Sequence, residues 1–144
     1  MIVSFSRLKE EKINMCILLL FMSGSGRCYA NGGVKMKVSE LRKKFGLELL
    51  TAENFTDRDI DGCYIGDLLS WVMGRAGSGN VWITIMNNIN IVAVAALTDV
   101  SCIVLCEGVT ADESIIKKAD EENVIILKTD KTAYELVSGF CGEI

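Results

Sequence analysis

Strand-like segments with no polar face recur along the second half of this chain. Val81-Trp82-Ile83-Thr84-Ile85, Cys102-Ile103-Val104-Leu105 and Val124-Ile125-Ile126-Leu127 are short and β-rich. A strand of this kind must be covered from above and from below, which suits a parallel sheet between helices. Helical patterns fall between the strands at intervals of about 20 residues. The expected fold class is therefore α/β, a single-domain layered fold with a mostly parallel sheet of about 4–5 strands flanked by helices.

The remaining elements follow from local signals. Ser39 is placed to cap a short helix bearing Val38, Leu41 and Phe45, and Gly46 to end it in a left-handed turn. Residues 47–51 and 63–65 read as extended. Asp67 is expected to cap a helix carrying Leu68, Leu69, Val72 and Met73, closed by Gly77-Ser78-Gly79-Asn80. The run 91–97 is apolar all round, which predicts a buried helix. Thr110-Ala111-Asp112-Glu113 has the form of a capping box, opening a helix with Ile115, Ile116 and Ala119 inside and Asn123 at its end. Thr129-Asp130 is read as the cap of a last helix over 133–141.

Composition removes several kinds of chemistry. The chain has 144 residues, a net charge of −4 and no histidine. Without histidine there is no Ser-His or Cys-His pair and no imidazole ligand. No basic cluster is present to neutralise phosphates or anionic lipid, so no nucleic acid and no membrane partner are expected. The six cysteines include no Cys-x-x-Cys pair, and no metal or cofactor is expected. Cys102 and Cys106 fall on one face of a strand with Val104 between them, as buried apolar groups do. A cytoplasmic location is the expectation.

Residues 1–35 stand apart. The eight-residue apolar run 15–22 is too short to span a bilayer, which takes about 20 residues. Cys28-Tyr29-Ala30 loosely resembles a cleavage site, but the preceding charges are of mixed sign. Gly32-Gly33-Val34-Lys35-Met36 can be encoded by purine-rich codons like those before a bacterial start. The favoured reading is a mis-assigned upstream extension or a poorly packed tail; a signal peptide and an integral element are the alternatives. The domain proper is then residues 36–144. Residues 1–35 hold five bases and two acids, so the remainder is more acidic still.

Charge and glycine concentrate in residues 57–69, which hold four acids, one arginine and two glycines. Asp57, Asp59 and Asp61 alternate as in a calcium loop, but position 12 of such a loop is Leu68 here. Gly74-Arg75-Ala76-Gly77-Ser78-Gly79 lacks the Gly-Lys-Ser/Thr of a phosphate loop and follows a helix, so it reads as a turn.

Residues 36 to about 138 resemble the DRTGG domain family. The resemblance rests on Met36-Lys37-Val38-Ser39-Glu40-Leu41, Gly46-Leu47-Glu48-Leu49-Leu50, Asp57-Arg58, Gly62, Tyr64-Ile65-Gly66-Asp67-Leu68-Leu69-Ser70, Trp82-Ile83-Thr84, Asn90-Ile91-Val92-Ala93-Val94-Ala95 and Thr129-Asp130. Asp61 and Cys63 depart from the motif that names the family, and Asn88 stands where relatives often carry histidine. The family is similar to the N-terminal domain of HPr kinase/phosphorylase and to accessory domains of phosphotransacetylases and CBS-domain pyrophosphatases. Stand-alone members occur near iron-hydrogenase genes.

The resemblance implies a non-catalytic regulatory or assembly module that forms a homodimer and contacts a protein partner. The alternative is a sensor of a nucleotide or a small anionic metabolite, bound at the carboxyl ends of the parallel strands. Candidate binding residues are Asp57, Arg58, Asp61 and Gly62 in the loop. Thr84, Asn87, Asn88, Asn90, Gly108, Thr129 and Asp130 are candidates at strand ends and helix starts. Trp71 falls in the exposed register of its helix and is a candidate interface anchor.

Overall fold

The computed structural model describes residues 35–140, together with the backbone of Cys28–Tyr29. The apolar run 15–22, the signal-like reading and Cys141 lie outside the described residues.

Four strands form the parallel centre of the sheet: β5 (Gly62–Ile65), β6 (Asn80–Thr84), β7 (Cys102–Leu105) and β8 (Ile126–Lys128). They lie side by side in sequence order. β3 (Glu48–Leu49) runs antiparallel along β8, and the two-residue β1 (Cys28–Tyr29) runs antiparallel along β5. A separate antiparallel pair joins β2 (Met36–Lys37) to β4 (Asp59–Ile60). The sheet has six strands, one more than the upper expectation, because β1 adds to one edge.

Sequential parallel order has a consequence for layering. Right-handed crossovers between neighbours place every connecting helix on the same face. α2 (Leu69–Arg75), α3 (Asn90–Thr98) and α4 (Glu113–Glu121) accordingly share one face, packed on Tyr64, Trp82, Ile103, Leu105 and Ile126. The other face, with Cys63, Val81, Ile83, Cys102, Val104 and Leu127, is covered by α1 (Val38–Phe45), α5 (Ala133–Phe140) and the β2–β4 pair. Phe45 and Phe140 meet edge to face at 4.8 Å and join α1 to α5. All four β7 residues are buried.

Cys102 and Cys106 lie on one face beside Val104, as their spacing predicts. Burial pushes the Cys102 thiol up to about 12 and the Cys106 thiol up to about 11, so both stay protonated at neutral pH. Gly46 (φ 64°) and Asn123 (φ 56°) end their helices in the left-handed conformation.

Several expected caps differ. Ser39 lies inside α1, whose N-cap is Lys37. Leu68 is the N-cap of α2, and Asp67 turns away to β6. Asp112, not Thr110, precedes α4. Thr132, not Thr129-Asp130, forms a capping box with Glu135 at α5: the Thr132 N–H donates to the Glu135 carboxylate at 2.9 Å, and the Glu135 N–H returns to the Thr132 hydroxyl at 3.2 Å. Leu68 and Met73 are exposed, because only Val72 of α2 is fully covered. α3 is not buried all round: Ala93, Ala96 and Leu97 face outward.

Trp82 is wholly buried, and its indole N–H donates to the Gly66 carbonyl at 2.8 Å. Trp82→Phe preserves most of the packing but leaves that carbonyl without its donor. We expect a loss of about 1–3 kcal/mol in stability by urea unfolding, with an unchanged far-ultraviolet spectrum.

Candidate functional site

The structure separates the sequence-derived candidates into two groups at opposite edges of the sheet. Asp57, Arg58, Asp61 and Gly62 lie at the amino ends of the parallel strands. Thr84, Asn87, Asn88, Asn90, Gly108, Thr129 and Asp130 lie at the carboxyl ends. Strands of three to five residues hold the two groups roughly 10–16 Å apart.

At the amino edge Asp57, Arg58 and Asp59 of the loop are turned to partners in the chain, while the Asp61 side chain is exposed. The Asp57 carboxylate accepts from the Ser39 backbone N–H (3.0 Å) and the Ser39 hydroxyl (2.7 Å). It thereby supplies the acceptor that the first turn of α1 needs. Asp59 pairs with Lys37 at 3.3 Å. The Asp61 N–H donates to the Gly79 carbonyl at 3.1 Å. A Cβ at Gly79, whose φ is +82°, would sit 2.5 Å from an Asp61 carboxylate oxygen. The left-handed glycine of this edge is thus Gly79. Gly62 is an ordinary strand residue between Tyr29 and Asn80.

Arg58 does not pair with Asp57, Asp59 or Asp61, the partners its neighbours suggest. Its guanidinium spans the loop to the end of α3. It donates to the Val100 carbonyl (3.1 Å), the Asp99 carbonyl (3.0 Å) and the Asp99 carboxylate. Asp99 is left-handed (φ 57°) and is the C-cap of α3. Ser78 donates to its other oxygen. The Ser78 hydroxyl and then Arg58 hold the Asp99 carboxyl below its usual range. Ser101, whose hydroxyl donates to the Asp59 carbonyl, completes this edge. Sequence reasoning missed Asp99, Ser78 and Ser101. The Thr98-Asp99 step after an uncharged helix was the available signal for a cap.

At the carboxyl edge, Thr84 is buried and donates to the Asp67 carboxylate at 2.8 Å. That carboxylate also accepts from the Ile85 N–H at 3.0 Å. Asn88 accepts from the Asn90 N–H at 3.0 Å, opening α3. Asn87 reaches the Thr110 carbonyl at 3.5 Å. Gly108 (φ +72°) donates to the Thr129 carbonyl at 3.0 Å, with Asp130 beside it. Sequential strand order gives this edge no reversal of winding over β5 to β8, and reversal is what opens a crevice in such sheets. The order jumps where β8 meets β3. An open depression of about 280 Å³ lies there, lined by Phe45, Gly46, Glu48 and residues 128–131. Lys128 pairs across it with Glu48 at 3.2 Å. Of the candidates, only Thr129 and Asp130 line it.

Trp71 is 56% exposed, as its register predicts, and the Arg75 guanidinium lies 3.8 Å from its ring centre. Among the described residues, no helix is long and apolar enough to cross a membrane.

The depressed Asp99 carboxyl carries a pH signature. It contributes stability above the unfolded-state value near 3.8, and that contribution is lost as pH falls through its lower folded-state value. Asn tolerates the left-handed cap, so Asp99→Asn isolates the charge. Urea midpoints of wild type and Asp99→Asn are expected to differ most at pH 6–7 and to converge toward about pH 3. A difference that is constant over this range counts against the assignment.

No curated protein matches the chain. A similar solved structure holds the CBS and DRTGG domains of the regulatory region of Clostridium perfringens pyrophosphatase, complexed with its activator diadenosine tetraphosphate. The TM-score is 0.58 at 12% identity, over 87% of this chain. This chain spans 66% of that chain's length, and the likeness is one of fold. The DRTGG domain matches residues 40–139, and the chain belongs to the DRTGG domain family.

Proposed function

We propose that this chain is a non-catalytic regulatory module that self-associates and contacts a partner protein. The observation that carries the reading is the state of the loop over residues 57–62. Asp57, Arg58 and Asp59 hold α1, α3 and the strand starts together, and none of them lines the depression at the β8–β3 junction. A chain without histidine, whose described Cys102 and Cys106 are buried thiols, supplies no obvious nucleophile–base pair. Free buried thiols also suit a cytoplasmic setting. The functional unit in this reading is residues 36–144, and the family match begins at residue 40. A place in hydrogenase-associated metabolism rests on the family resemblance alone. Light scattering over a dilution series is expected to show a dimer that dissociates at low micromolar concentration; a strict monomer throughout would sink the self-association.

A second reading is favoured by the depression at the β8–β3 junction. The Lys131 side chain and the Thr129 hydroxyl there offer a cation and a hydroxyl to a phosphorylated metabolite. The related regulatory region holds a dinucleotide polyphosphate, which makes adenine nucleotides the first probes. A nucleotide held at 100 times its dissociation constant stabilises the fold by about 2.7 kcal/mol. Thermal-shift measurement with AMP, ATP and diadenosine tetraphosphate is expected to raise Tm by several degrees for one of them and to leave Lys131→Ala unmoved. No shift with any of the three rejects this reading.

A further inference from the structure

We propose that the outward surface of α2 and α3 is where two copies of this chain meet, so that it serves the self-association proposed above. The two helices pack side by side on the same sheet face. Their outward surface carries Trp71 and Leu97, 56% and 72% exposed, and the exposed Ala93 one turn before Leu97. Large apolar side chains left this exposed on one face mark an interaction site.

The charge distribution selects a second copy as occupant. The chain is acidic, at −4. α1 carries Glu40, α4 carries Glu113, Asp120 and Glu121, and α5 carries Glu135. α2 and α3 carry no acid, and their one charged residue is Arg75, stacked on Trp71. Of the helical surfaces described, this is the one through which two acidic copies approach without opposing carboxylates.

Gly74 adds a steric reason. It is helical, needs no positive φ, and a Cβ there would meet nothing within 4 Å. Alanine would suit an isolated helix better. Gly74 lies one turn from Trp71 on the same face. When two α2 helices cross antiparallel about a two-fold axis, Trp71 of each copy sits over Gly74 of the other, and Arg75 comes to the other copy's Ser70. A protruding ring and a bare backbone one turn apart are self-complementary under that symmetry. Helices of seven and nine residues are about 11 and 14 Å long. Such a surface falls short of the roughly 800 Å² per partner of a standard interface, so the dimer is reversible.

Sedimentation velocity on the full chain tests this, with wild type, Trp71→Ala, Gly74→Ala and Ala93→Glu. Wild type is expected to self-associate reversibly. Gly74→Ala should raise Tm by about 2–5 °C while weakening the dimer tenfold or more. The rise in Tm shows that the variant is folded. Trp71→Ala and Ala93→Glu should weaken it at least as much. A wild-type dimer whose dissociation constant none of the three variants moves overturns the surface and leaves self-association standing. A wild type that stays monomeric to about 500 µM overturns both, leaving this face to a protein of different sequence.

Discussion

The two-sided burial of the central strands governs everything else in this molecule. β7 has no exposed residue, and β6 has none either. Each large apolar side chain taken from water there is worth about 1.5–3 kcal/mol, but only while both covering layers are in place. Neither layer is optional. The sequential strand order then assigns α2, α3 and α4 to one side, and the other side has to be made from what remains. It is made from the two terminal helices of the domain and a two-stranded ribbon, brought together from residues far apart in the chain.

Polar residues work at the rims of this apolar slab. At the amino rim, Arg58 ties the loop before β4 to the end of α3, and Asp57 ties it to the start of α1. At the carboxyl rim, Asp67 ties the end of β5 to the end of β6 through Thr84. Each tie joins two elements whose relative position the core alone would leave free to slide. The segment that defines the family in sequence is thus a set of fasteners in space. Its residue types suggest an active site because fastening backbone ends and polarising a substrate call for the same groups, carboxylates and guanidinium.

What could be read from the chain follows the range of the interaction involved. The strands β6, β7 and β8, the left-handed ends at Gly46 and Asn123, the shared face of Cys102 and Cys106, and the exposure of Trp71 depend on neighbours within a few residues. Periodicity and backbone preference therefore reveal them. The helix starts were harder to read: even the Thr132–Glu135 box, three residues apart, was hidden behind the equally good capping types Thr129 and Asp130. Ser39, Asp67 and Thr110 have ordinary capping side chains, but Ser39 and Asp67 are claimed by groups 18 and 17 residues away. The partner of Arg58 lies 41 residues off, and no local rule points to it. The sheet order, which decides where a crevice can open, was likewise beyond a reading of segments one at a time.

The cap that Asp57 places on α1 couples two events in time. α1 has eight residues, too few to hold helical form alone in water. Its first turn finds its side-chain acceptor only after the chain between Ser39 and Asp57 has closed on itself. That closure is loose in sequence but tight in space, so its entropic cost falls before its benefit arrives. α1 is therefore a late and conditional helix. Anything that pulls residues 57–58 from their seat, such as a partner gripping the loop or a change at the end of α3, would be felt as fraying at Val38 and Ser39. Amide exchange there would report on events at the far side of the loop.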